Sequence, residues 1–202
     1  KPFDARLILR IAPAVARAAA ESGVATRPIA DLEAYRQSLT RFVYQTGMVM
    51  RPVFAAAKAQ PARVVYAEGE DERVLRAVQV VLDEGLAQPI LVGRPSVVEA
   101  RIKRFGLSIR AGKDFDLVNP EDDPRYRSYV QTYIDVAGRR GVTPEAARTV
   151  VRTNNTVIAA LAVVRGEADA MICGVEGRYM SHLRHVREIV GFLPGVRDFA
   201  AL

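Results

Sequence analysis

The feature that most constrains this sequence is a change of hydrophobic period at Pro61. Beyond it, "RVVYA" is a short β-branched run, "EDERVLRAVQVVLDEG" is an amphipathic helical pattern closed by Gly85, and "PILVG" is again strand-like. Two strands separated by a helix read as a βαβ unit, the usual way a chain joins parallel strands. "RPSVVEARIKRFG" supplies another helix and "FDLVNP" a third strand. "PRYRSYVQTYIDVAGRRG" and "TPEAARTVVRTNNTVIAALAVVRG" supply two long helices, and "DAMICG" returns to strand. The alternation predicts an α/β fold, a parallel sheet with helices on both faces in three layers. Ligands of such sheets gather beyond the carboxyl ends of the strands, here "AEGED", "VGRPS", "VNPED" and "CGVEG".

Residues 1–60 read differently, as an all-helical arm preceding a sheet domain over 61–202. Asp4 is a plausible N-cap, "ESG" ends the first helix, and Pro13 is expected to kink or restart it. Asp31 can cap the pattern "LEAYRQSLTRFVYQTGMVMRPVFAAAKAQ", which Pro52 is expected to interrupt. Its Tyr, Phe and Met positions read as packing surface. The chain opens without Met and stops at the apolar "DFAAL", so it is expected to be a piece of a longer polypeptide.

Composition removes several classes. The net charge of +6 is spread along all 202 residues, and no Lys/Arg block resembles a nucleic-acid arm. No uninterrupted apolar run approaches the roughly 20 residues a membrane helix needs. Cytoplasmic location is the default expectation, with neither nucleic acid nor membrane as a partner. The single cysteine, Cys173, excludes an intramolecular disulfide and reads as a small buried hydrophobe.

The acidic cluster Glu68, Glu70, Asp71 and Glu72 sits at a strand end and over a first helical turn, where it suits the helix dipole and repels phosphate. Gly69 reads as the turn that lets the helix begin. No G-x-G-x-x-G follows the first strand and no Walker pattern occurs, so no nicotinamide cofactor site is expected here. His182 and His185 can share a helical face but lack a third ligand, so no metal site is expected. In "MICGVEGRYMSHLRHVREIVG", Gly174 and Gly177 allow close backbone approach and Ser181 can cap the helix. Arg178, Arg184 and Arg187 supply guanidinium forks suited to phosphate. The competing reading solvates these arginines or pairs them with Glu176 and Glu188, and the residues alone leave both open.

From about Arg63 to Gly195 the chain resembles the first half of a phosphate acetyltransferase (phosphotransacetylase) domain. "EGEDERVLRAVQVVLDEGLAQPILVGRP", "RRGVTPEAA", "VRGEADAMICGV" and "LRHVREIVG" carry the resemblance, in order. Upstream, "KPFDARLILRIAPAVARAAAESGVATRPI" resembles the end of the catalytic part of large, hybrid NADP-dependent malic enzymes, in which such a module is fused behind the malic enzyme. This implies a parent that decarboxylates malate oxidatively to pyruvate, with NADP and a divalent cation, magnesium or manganese, bound outside this chain.

Arg184 matches the family's substrate-binding arginine, and Ser181, Arg178, Gly174 and Gly177 complete the site the resemblance implies, for acetyl-CoA or phosphate. A second family arginine falls on Ala137, with Arg139 and Arg140 nearby. The family's serine-rich run is here "EGRYMSH", keeping only Ser181 and inserting Tyr179 and Met180. Losing one preorganised donor costs about 2.7–4 kcal/mol of transition-state stabilisation, so no residue of this chain is assigned a catalytic role. The resemblance therefore implies a regulatory and assembly module that responds to acetyl-CoA or a related anion and forms a homo-oligomer. The alternatives are an active phosphate acetyltransferase, or a purely structural role in which the helices of Asp31–Gln60 form a subunit interface.

Overall fold

The computed structural model describes residues 5–43 and 45–197, and the chain divides after Ala56 into two units. In the first, α1 (Ala5–Glu21) packs on α2 (Leu32–Val43), and α3 (Gln45–Ala59) follows. Asp31 caps α2 as expected, its Oδ1 accepting from the N–H groups of Glu33 and Ala34 at 2.9 Å. The expected cap at Asp4 lies outside the described residues. Pro13 lies inside α1, which continues through it and does not restart, and Pro52 lies inside α3 and does not interrupt it. A proline removes one hydrogen bond, and Pro13 is buried, so packing within the unit offsets that loss.

The second unit is a parallel sheet of β1 (Ala62–Tyr66), β2 (Ala87–Val92), β3 (Asp116–Val118) and β4 (Ala170–Ile172) in the order β3-β2-β1-β4. Val65 pairs with Ile90 on one side and Met171 on the other, so β1 is central and buried. Arg63 joins the start of β1 to the turn before β4. Its N–H and guanidinium both donate to Asp169, whose own N–H donates back to the Arg63 carbonyl at 2.8 Å.

Helices cover both faces. On one, α4 (Glu72–Asp83) and α5 (Pro95–Phe105) press Val74, Leu75, Val78, Val98 and Ile102 onto Tyr66 and Leu91. Full burial of one such aliphatic side chain is worth about 1.5–3 kcal/mol. On the other face lie α6 (Tyr126–Ala137), α7 (Pro144–Thr153) and α8 (Asn155–Val164), while α9 (Tyr179–Ile189) packs against α6 and α8.

Local signals explain the helix starts. Asp71 accepts from the Arg73 N–H to cap α4, and Thr143 accepts from the Ala146 N–H to cap α7, with Pro144 in the first turn. The long helix expected across "TPEAARTVVRTNNTVIAALAVVRG" is two, broken at Asn154, which is extended at φ −132°, ψ 102°. The two halves have different surroundings. α7 buries only Ala147 and Val151, whereas α8 buries every residue from Thr156 to Ala162. Gly69 also has a different reason from the turn expected of it. A Cβ there would stand 2.7 Å from the Val92 carbonyl oxygen and 2.8 Å from Leu91 Cβ, so glycine is required for close approach to β2.

Candidate functional site

The chain runs outward from β1 to β2 and β3, then returns to place β4 on the other side of β1. This reversal opens a crevice between the loops that follow β1 and β4, where ligands of doubly wound sheets bind. A cavity of about 250 Å³ lies there, with Glu68, Glu70 and Asp71 after β1, Arg94 after β2, Glu121 after β3 and Glu176 after β4 on its walls. All four strand ends named from the sequence thus meet at one place.

The acidic groups in this crevice are already engaged. Glu70 accepts from the backbone N–H and guanidinium of Arg94 at 2.8–2.9 Å, and this holds its carboxyl below the usual range. The guanidinium of Arg73 does the same to Asp71. Both are carboxylates at neutral pH and serve as anchors rather than proton donors. Two further arginines line the cavity: Arg101 donates to the Glu70 carbonyl, and Arg152 lies over the Tyr126 ring at 5.4 Å.

The β4–α9 loop is gripped at three consecutive residues. The Gly174 N–H donates to Glu68 Oε1 at 2.8 Å, and Arg73 Nη2 donates to the Val175 carbonyl at 3.1 Å. His182 Nε2 donates to the Glu176 carbonyl at 2.6 Å. The other nitrogen of that ring, Nδ1, lies 2.8 Å from the hydroxyl of the buried Thr156 and 3.9 Å from Glu68 Oε1. A carbonyl only accepts, so the Nε2 proton is fixed and the Thr156 hydroxyl donates to Nδ1 when the ring is neutral. Gly174 and Gly177 turn this loop with φ of +104° and +92°.

Helix α9 carries the arginines. Its N-cap is Arg178, without a side-chain capping bond, and Ser181 lies inside the helix, where its N–H donates to the Arg178 carbonyl. The expected Ser181 cap is thereby corrected: the chain turns helical at Tyr179, two residues before the hydroxyl. Arg178, Ser181, Arg184 and Arg187 line one open cavity of about 450 Å³. Gly174 and Gly177 are not on its wall, and the Gly174 N–H is spent on Glu68 and so closed to an anion.

Of the competing reading, the pairing of these arginines with Glu176 and Glu188 is not formed, while all three are exposed to solvent. Among the described residues, none of Arg178, Arg184 and Arg187 makes a salt bridge. Glu188 instead accepts from the Tyr133 hydroxyl at 3.0 Å. A neighbouring cavity of about 460 Å³ brings Arg140 together with Arg184, His185 and Arg187. Ala137 is fully buried, so Arg140, whose guanidinium donates to the Glu188 carbonyl, is the residue that reaches this corner. Tyr179 and Met180 stand 65% and 68% exposed at the helix start, where small hydroxyl side chains would leave room.

The two histidines share a face, as expected, but serve separate partners. Asn154 Nδ2 donates to His185 Nε2 at 3.0 Å, and burial pushes the His185 pKa down. Burial, aided by Glu68, pushes the Cys173 thiol up, which keeps it protonated and a poor nucleophile. Among the described residues no group of three His, Cys, Asp or Glu side chains could hold a metal ion.

A model of the phosphate acetyl/butaryl transferase family matches residues 48–202. The chain belongs to that family. Its fold is correspondingly similar to the EutD phosphotransacetylase from Staphylococcus aureus, with a TM-score of 0.67 at 23% identity, covering 75% of this chain and 44% of that one. Along its entire length it is 67% identical to an NAD-dependent malic enzyme of Rhizobium meliloti and 54% identical to an NADP-dependent malic enzyme of Escherichia coli. It covers 26% and 27% of those two proteins, so this transferase-family chain spans about a quarter of the curated relatives it matches. The phosphotransacetylase-like fold and the likeness to malic enzymes read from the sequence are both borne out.

Three residues at the crevice and the β4–α9 loop escaped sequence reading. Arg101 and Arg152 sit within helices, with no local signal linking them to the strand ends. His182 was visible only as one of a pair, because its partners Thr156 and Glu68 lie far away in the chain.

Proposed function

We propose that this chain is the ligand-responsive assembly module of a malic enzyme that decarboxylates malate oxidatively to pyruvate. Similarity to malic enzymes along the whole chain, at 67% and 54% identity, supports the parent activity, which uses a nicotinamide cofactor and a divalent cation held by other parts of the polypeptide. The named relatives include both NAD- and NADP-dependent enzymes, so the NADP read from sequence widens to either nucleotide. The ligand is acetyl-CoA or a related anion, and the module lies in a cytoplasmic homo-oligomer.

The observation that carries the reading is that Arg178, Arg184 and Arg187 border one open cavity and, among the described residues, make no salt bridge. Guanidinium forks that are not tied to carboxylates suit phosphate and pyrophosphate groups, although that of Arg187 also lies over the Phe192 ring at 5.6 Å. Transfer chemistry is absent in this reading, because Tyr179 and Met180 occupy the start of α9 and Cys173 is protonated. For regulation, the ligand must bind two states of the enzyme unequally. Malate oxidation by the full-length polypeptide, measured with and without acetyl-CoA, tests the module; unchanged turnover and unchanged sedimentation would reject it.

One observation favours active phosphate acetyl transfer instead: Arg140 reaches the Arg184 corner, supplying the second arginine that Ala137 lacks. CoA-dependent consumption of acetyl phosphate by the full-length polypeptide, well above background, would establish that alternative. A purely structural role, with the helices of Asp31–Gln60 as a subunit interface, is supported by the exposure of Val53 and Phe54 on α3.

A further inference from the structure

The β4–α9 loop leads directly into Arg178, the first of the three arginines at the cavity. Two glycines with positive φ make such a loop costly to order, because glycine has the most backbone freedom to lose. Yet Gly174, Val175 and Glu176 are held in succession by side chains of three different elements: Glu68 after β1, Arg73 on α4 and His182 on α9. His182 is the hinge of this arrangement. Its ring reaches back across the loop to the Glu176 carbonyl, is braced from behind by the buried Thr156 of α8, and faces Glu68. A Cβ on Gly177 would stand 3.1 Å from Nε2, so the glycine also makes room for this ring.

We propose that His182 is a positioning residue for the α9 ligand cavity: with Glu68 and Arg73 it clamps the β4–α9 loop and so presets Arg178 before the ligand arrives. The inference rests on the ligand reading above and extends it to residues outside the cavity wall. Its physical content is preorganisation. A loop already ordered in the free protein does not subtract its ordering entropy from binding. Without the Nε2–H donor, the Glu176 carbonyl loses its partner and the two glycines are free to sample other conformations.

The test is equilibrium titration of acetyl-CoA onto the full-length polypeptide, together with amide hydrogen exchange across residues 174–178. His182→Ala is expected to weaken binding about tenfold, the loss of one hydrogen bond's worth of order. Faster exchange in the loop should accompany it. His182→Gln, which offers an amide N–H to the same carbonyl, should recover most of both effects. Arg184→Ala, which removes a direct contact, should weaken binding without altering exchange. Thr156→Val keeps the ring but removes its brace, and serves where His182→Ala does not fold; it should loosen the loop in the same direction.

If His182→Ala or Thr156→Val binds as the wild type does while Arg184→Ala is impaired, the clamp is wrong and the ligand site stands. If the wild type itself binds no acetyl-CoA, the ligand site falls and this inference with it.

Discussion

Gly69→Ala is the sharpest test of how the site is built, because the alanine methyl has nowhere to go. It would meet the Val92 carbonyl oxygen at 2.7 Å, Leu91 Cβ at 2.8 Å and the Val92 nitrogen at 3.1 Å. Two of these are β2 backbone atoms, which no rotamer change can move, and the Gly69 N–H is itself tied to the Val92 carbonyl at 3.0 Å. Overpacking a tight site costs about 1–3 kcal/mol, and a backbone clash places this one near 3 kcal/mol. With a urea dependence of about 2 kcal/mol per molar, the unfolding midpoint should drop by about 1.5 M.

Gly138→Ala is the matched control. That residue is helical at φ −59°, ψ −39°, and a Cβ would make only an ordinary contact with Ile134 at 3.6 Å. It should stabilise by about 0.4–1 kcal/mol through the unfolded chain. Urea unfolding followed by circular dichroism reads both changes. A Gly69→Ala midpoint within about 0.2 M of wild type, or a Gly138→Ala loss larger than that of Gly69→Ala, would refute the close-approach argument.

Three further outcomes follow from the same geometry. Arg94 depresses the Glu70 pKa below 4.5, so the pair's stability is complete above that value and is lost as pH falls through the folded-state value; Glu70→Gln should show a shallower loss in acid urea titrations. The His185 pKa is depressed by burial, against the pull of Glu188 and with the push of Arg184 and His182. The unfolded chain therefore binds more protons just below pH 6.5, and stability should fall as pH drops from there, a dependence that His185→Gln removes in urea midpoints taken at pH 7.5 and 5.5. Sedimentation of the full-length polypeptide should give a homo-oligomer at micromolar concentration, and a monomer would remove the assembly role.

What could be read from the chain alone was what local chemistry controls. The β1–α4–β2 unit follows from changes of hydrophobic period, and the cap at Asp31 follows from a carboxylate placed just before a helical pattern. The meeting of the four strand ends at one crevice was also legible, because parallel topology brings them together whatever their side chains.

Features decided by tertiary contacts were not legible. Asn154 looked like one more helical residue, and its extended conformation belongs with the changed surroundings of α8 and with its bond to His185. Pro52 looked like a break, but α3 runs through it. Ser181 looked like a cap until the true start of α9 placed it inside the helix. The grip of Glu68 on Gly174 joins residues 106 positions apart, a separation that no window of sequence spans.

The central claim is that Arg184 and its neighbours hold an anionic ligand that acts on a malic enzyme. Malate oxidation by the full-length polypeptide, titrated with acetyl-CoA and compared between wild type and Arg184→Ala, tests it most directly. A charged hydrogen bond is worth about 1.5–3 kcal/mol, so the acetyl-CoA concentration for half-maximal effect should rise about 10- to 100-fold in the variant, with malate turnover in its absence unchanged. An identical acetyl-CoA response in both proteins would contradict the claim.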